Sequence, residues 1–148
     1  MENFWPALKG DTEFSPVSVL REQARYLAER TEWSVIAEVV ASQLPEVIDA
    51  SYFKYSFNLF APSINYRYNL FSIYYDLNYF PLVVRLDEIY KNDFPERRWI
   101  SSVGCDGVVA HNKEQYLDLI RKILRSSVTI NILSIIMSHI EEEVQVSE

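Results

Sequence analysis

The chain's single cysteine and one of its two histidines share one short stretch, GCDGVVAH, in which Cys105 and Asp106 stand six and five residues ahead of His111. A catalytic thiolate needs a base or positive charge close enough to lower its pKa, and that base needs a third group to orient it. Nearness in sequence supplies none of this geometry. Asp106-Gly107 reads as a turn and His111 as the residue ahead of a helix cap, so the expectation is a half-buried cysteine beside a turn. The second histidine, His139, precedes Glu141-Glu142-Glu143. With Glu142 and Glu143 it offers a one-histidine ligand set on a fraying helix end, and the expected state there is a solvated acidic tail. Paired carboxylates for glycoside chemistry meet only in the fold, and Asp76, Asp87, Glu88 and Asp93 read as turn and surface residues at the sheet ends. The chain has three glycines in all and neither a phosphate-cradling loop nor an H-E-x-x-H pattern. No catalytic residue, no cofactor and no metal is expected.

Composition narrows the class further. At 148 residues with 49% hydrophobic residues and six prolines, the chain suits one densely structured domain spanning 1–148. One cysteine rules out an internal disulfide and a multi-cysteine zinc site, which fits a reducing, cytoplasmic setting. The start, MENFWPALKG, lacks the basic-then-apolar pattern of a secretory signal, and no uninterrupted apolar run is long enough to span a membrane, so no membrane role is expected. Of the net charge of −7, residues 1–50 hold four bases against nine acids, residues 126–148 no base against four acids, and residues 51–125 ten bases against eight acids. Nucleic acid is therefore a poor partner, and a protein partner, basic or a second copy of the chain, a better one.

The elements that must position these residues follow from periodicity. After a lead of residues 1–14, Ser15 caps and Pro16 opens a helix to Arg30, with Phe14 stapled onto Val19. The period then changes to two over residues 33–42, a strand, and Leu44-Pro45 starts a turn through residues 45–50. Twelve of the 21 aromatic residues fall between Tyr52 and Phe80, a density that marks strands. Residues 52–61 and 66–75 form a hairpin about Pro62-Ser63-Ile64-Asn65, where Asn tolerates left-handed geometry. Residues 80–86 give a fourth strand, at an edge or beginning there because of Pro81, and residues 99–103 a possible short fifth. Asn112 and Gln115 form a capping box for a helix carrying Tyr116, Leu119, Ile120, Ile123 and Leu124. A last helix carries the stripe Leu133, Ile136, Met137, Ile140 and Val144, with an acidic tail over 141–148. The fold class is α+β: an N-terminal helix, a four-stranded antiparallel meander ordered by sequence, and two C-terminal helices.

Alternation places Phe53, Tyr55, Phe57 and Leu59 on the core face. If Phe60 and Arg67 face outward as a cation–π pair across the hairpin, then Tyr52, Phe60, Phe71, Ile73 and Tyr75 share the outward face, too apolar for ordinary solvent surface. Either a C-terminal helix covers that face or it is an interface. In size and charge the chain resembles, in general character only, small acidic immunity proteins and secretion chaperones. The leading expectation is a small binding or regulatory module acting through the aromatic sheet face and acidic surface, with self-association as one mode. The alternative is an enzyme or small-ligand carrier with a pocket between the sheet and the C-terminal helices, using Tyr hydroxyls and Arg67 or Arg85.

Overall fold

In the computed structural model, which describes residues 1–10, 14–44 and 48–146, three helices cover one face of a single six-stranded antiparallel sheet. The first helix, α1, runs Pro16–Arg30. Ser15 accepts from the Ser18 backbone N–H and the Ser18 side chain accepts from the Ser15 N–H, so both ends of the cap are satisfied. Strands β1 (Ile36–Ala41), β2 (Phe53–Ala61), β3 (Tyr66–Tyr75) and β4 (Leu82–Arg85) then pair in sequence. Between β2 and β3 a short 3-10 turn, Pro62–Ile64, ends at Asn65 with φ 50°, the left-handed position expected there. Part of the turn expected at 45–50 lies outside the described residues.

The sheet departs from a four-stranded meander. Its order is β1-β2-β3-β4-β6-β5, where β5 is Arg98–Ile100 and β6 is Cys105–Ala110. The possible fifth strand exists, shorter and earlier than its expected range, and β6 is new. Asp106-Gly107, read from sequence as a turn, lies inside β6. Gly107 faces Arg85 of β4, and a Cβ there would collide with the Val84 carbonyl, so this glycine permits close strand approach instead of a bend. The turn falls earlier, over residues 101–104, and ends at Gly104 with φ 66°. With β6 beside it, β4 is an interior strand, and Pro81 precedes its first residue.

Helix α2 (Lys113–Arg125) begins at Asn112, whose side chain accepts from the Gln115 N–H while Gln115 Oε1 accepts from the His111 N–H. A bend of 45° separates it from α3 (Ser127–Val146). Glu141, Glu142 and Glu143 sit within α3 and are exposed, and the last two residues of the expected tail lie outside the described residues. Among the described residues no single helix is long and apolar enough to cross a membrane.

The main core lies between sheet and helices. Phe57, Leu59, Phe71, Ile73 and Val84 from the sheet meet Leu20 of α1, Tyr116, Ile120 and Ile123 of α2, and Ile136 of α3. Phe57 and Phe71 stack with ring centroids 5.0 Å apart and planes 9° from parallel. Tyr55 and Phe53 share this face beside Tyr75, but only Phe57 and Leu59 of the four expected core residues are fully buried, and Phe53 is 41% exposed. A smaller cluster on the opposite face joins Tyr74, Val83, Ile100 and Val103 to Ile48 from the β1–β2 connection.

Three core phenols are held in their neutral form. Burial is the main cause in each: it raises Tyr75 and Tyr116 well above the ordinary phenol value, and it pushes Tyr90 up to about 12 although its hydrogen bond with Thr129 opposes the shift. Below pH 10 these phenols are neutral in both states and the shifts cost nothing. Above pH 10 the unfolded chain releases protons that the folded chain keeps, so stability falls as pH rises through that window. Denaturation midpoints measured from pH 8 to 11.5 should therefore drop above about pH 10, and less steeply for Tyr90→Phe. Removing one ring of the stacked pair tests the core: Phe57→Ala should cost about 3–5 kcal/mol in urea denaturation, and Phe71→Glu should abolish cooperative unfolding.

Candidate functional site

The outward aromatic set divides in two. In β3 the pairing passes from Asn58 opposite Asn69 directly to Phe57 opposite Phe71, so Leu70 is an extra residue, a β-bulge. Up to Asn69 the outward parity set by Arg67 holds. Beyond Leu70 it inverts, because side chains alternate with period two and one inserted residue exchanges the faces. Phe71, Ile73 and Tyr75 consequently lie under the helices with 0%, 0% and 3% exposure, a correction to their expected outward placement. Tyr52 and Phe60 remain on the other side, both half-buried. The C-terminal helices cover the Phe71 side and leave that face uncovered.

What the outward face presents between these two rings is polar. Hydroxyls of Ser42, just past β1, Ser56 of β2 and Ser72 of β3 form a row at 3.0 and 3.1 Å spacing. Asn69 donates to Asn58 Oδ1 at 2.8 Å, and Arg85 donates to Asn69 and, at 2.9 Å, to Asp87. Arg67 lies 3.7 Å from the Phe60 ring centroid, the cation–π contact expected across the hairpin, and also donates to Glu38 at 2.9 Å. Lys54 sits over the Tyr74 ring, and its ammonium pKa is lowered first by burial and then by Arg85. These groups are mutually satisfied, so the face reads as a hydrogen-bonded surface layer.

Cys105 and His111 bracket β6. At a strand's rise per residue they stand about 20 Å apart, which removes the imidazole as a base for the thiol. Burial pushes the Cys105 thiol up, Arg85 opposing it. His139 Nδ1 donates a hydrogen bond to the Ile135 carbonyl at 2.9 Å within its own helix. No three His, Cys, Asp or Glu side chains among the described residues gather as metal ligands. Asp76 accepts from the Asn78 N–H in a turn, Asp87 from Arg85, and Glu88 from Lys91; Asp93 has one buried carboxylate oxygen with no partner among the described residues.

The sequence predicts a pocket between the sheet and the C-terminal helices but not its apolar lining, and a groove lies there. The tip of the β2–β3 hairpin reaches α3 and leaves a groove of about 930 Å³ between them. Ile64 and Tyr66 come from the hairpin, Ile89 from the 3-10 turn Glu88–Tyr90, and Ile132, Ile135 and Ile136 from α3, with His139 and Glu143 at one end. Tyr66, Ile89 and Ile135 are 44%, 52% and 51% exposed, and the groove opens to solvent along one side. No periodicity signals it, because it exists only where two elements distant in sequence meet. A smaller hollow of about 560 Å³ beside β1 and β2 includes Tyr52 and Lys54. No family model, curated protein or solved structure matches the chain.

Cys105 offers a direct probe of the face on which it lies. With its thiol pKa raised, alkylation by iodoacetamide at pH 7.5 should run several-fold slower in the folded protein than in urea, and the folded rate should climb mainly above pH 9. Equal rates in the two states would contradict this placement.

Proposed function

We propose that the protein is a protein-binding module whose contact surface is the groove between α3 and the β2–β3 hairpin, and that its partner segment is apolar with Lys or Arg at its flanks. The groove itself carries the reading: a contiguous apolar surface rimmed by polar groups is the usual mark of an interaction site. An apolar groove between a helix and a hairpin can take a helix or extended segment laid into it. Charge selects the partner's chemistry. Besides the phenols of Tyr66 and Tyr68, the ionisable groups along the groove are His139 and Glu143; Glu141 and Glu142 stand at the same helix end, and Glu88 is next to Ile89. No Lys or Arg lines it.

A small-ligand carrier would use the same location, but such sites enclose most of the ligand and converge polar groups on it. Here one side is open, and the two arginines expected to serve a ligand, Arg67 and Arg85, lie on the far face of the sheet. The sheet's aromatic face contributes less than expected to any interface, since three of its five candidate residues are in the core.

A photo-activated cross-linker at Ser63, on the groove's edge, tests the proposal in the native cell. The wild type should capture a protein through a peptide bearing apolar and basic residues, and Ile135→Glu should reduce capture at least about tenfold with an unchanged thermal midpoint. Capture unaffected by Ile135→Glu would overturn the groove as the contact surface.

A further inference from the structure

Helix α3 carries a second apolar line, on the flank away from the groove. Ile130, Leu133, Met137, Ile140 and Val144 recur at alternating steps of three and four residues, the a/d spacing of a coiled-coil seam. The molecule's own core takes the adjoining direction of the helix, where Thr129 and Ile136 are buried and Leu133 and Ile140 pack partly against it. Ile130 and Met137 are 51% and 40% exposed, Val144 is 52% exposed, and Leu133 and Ile140 are half-buried at the foot of the line. From Ser126 to Ile140 no carboxylate, Lys or Arg interrupts it. An ordinary surface helix turns charged residues outward.

We infer that this seam pairs with the same seam of a second copy, the two α3 helices running antiparallel. Charge decides both the occupant and its direction. The acidic triplet Glu141-Glu142-Glu143 stands at one end of α3, and exposed Arg125 and Lys122 stand just ahead of the other. Antiparallel packing sets a against d positions, so Ile130 meets Ile140 of the second copy and Leu133 meets its Met137. In that register the acidic end of α3 comes level with the start of α3 in the second copy, near its Arg125 and the positive end of that helix dipole. A parallel pair would instead set the two acidic triplets against each other, a destabilising arrangement. The inference uses a different flank of α3 from the groove, since none of the five seam residues lines it.

Sedimentation equilibrium at about 50 μM, where a dimer of micromolar Kd is mostly assembled, should show a dimer for the wild type and for the groove variant Ile135→Glu. Met137→Glu and Ile130→Glu should sediment as monomers with unchanged circular dichroism and thermal midpoint. A monomeric wild type, or a dimer indifferent to both seam variants, would overturn the proposal. So would loss of the dimer on deleting residues 1–10, which would transfer it to exposed Phe4, Trp5 and Leu8. Orientation is read in a Cys105→Ser background: mixed Ile130→Cys and Ile140→Cys chains should oxidise to a cross-linked heterodimer. Ile130→Cys chains that link to each other as efficiently would refute the antiparallel register.

Discussion

The stacked rings of Phe57 and Phe71 sit beside the point where β3 takes up one extra residue, and much of the architecture depends on that placement. Leu70 and Phe71 both join the helix-side core, so that core gains from β3 two consecutive large side chains where strict alternation supplies one. Ile73 and Tyr75 follow on the same side and receive α1 and α2. The opposite side of β3 is left with Ser72 and Tyr74, which close against a serine row and a small apolar cluster. One bulge thereby separates an oily face that needs three helices from a polar face that needs none.

Helix α3 has a different standing from its neighbours. Its fully buried residues are Thr129 and Ile136, and Thr129 is tied to Tyr90 and to the Ile123 carbonyl at the α2–α3 corner. This polar corner fixes the helix where it leaves α2. The rest of its length projects two apolar flanks, one toward the hairpin tip and one outward. A helix anchored firmly at one end and apolar on several sides is suited to recognition through its sides, and the proposals on its two flanks share that physical origin.

Much of the fold was legible in the chain. Ser15-Pro16 placed the start of α1, Asn65 the hairpin turn, and Asn112 the start of α2, because each acts through local backbone chemistry. The bulge was not legible: Leu70 is one apolar residue among many, and only its pairing partners reveal that it is supernumerary. Gly107 misled for a related reason, since Asp-Gly is a strong turn signal and the close approach of β4 that needs the glycine is a long-range fact. The α3 stripe was seen but read as one surface. The structure divides it, Ile136 going inward and Met137 outward, a distinction of about 100° round the helix that composition does not encode. Of the five outward candidates, Tyr52 and Phe60 lie before the bulge and kept their parity.

The insertion of β6 between β4 and β5 also sets an order of events for a growing chain. Strands β1 to β4 pair with sequence neighbours, so this half of the sheet can close through short loops as soon as residue 85 is available. The free edge of β4 then has to wait, its backbone donors and acceptors unpaired, until Cys105–Ala110 arrives with β5 already on its far side. During that interval Leu82, Val83 and Val84 line an open strand edge of the kind that recruits foreign strands. The β5–β6 hairpin acts as a late-arriving selvedge, and the interval before it docks is when the nascent chain is most exposed to mispairing.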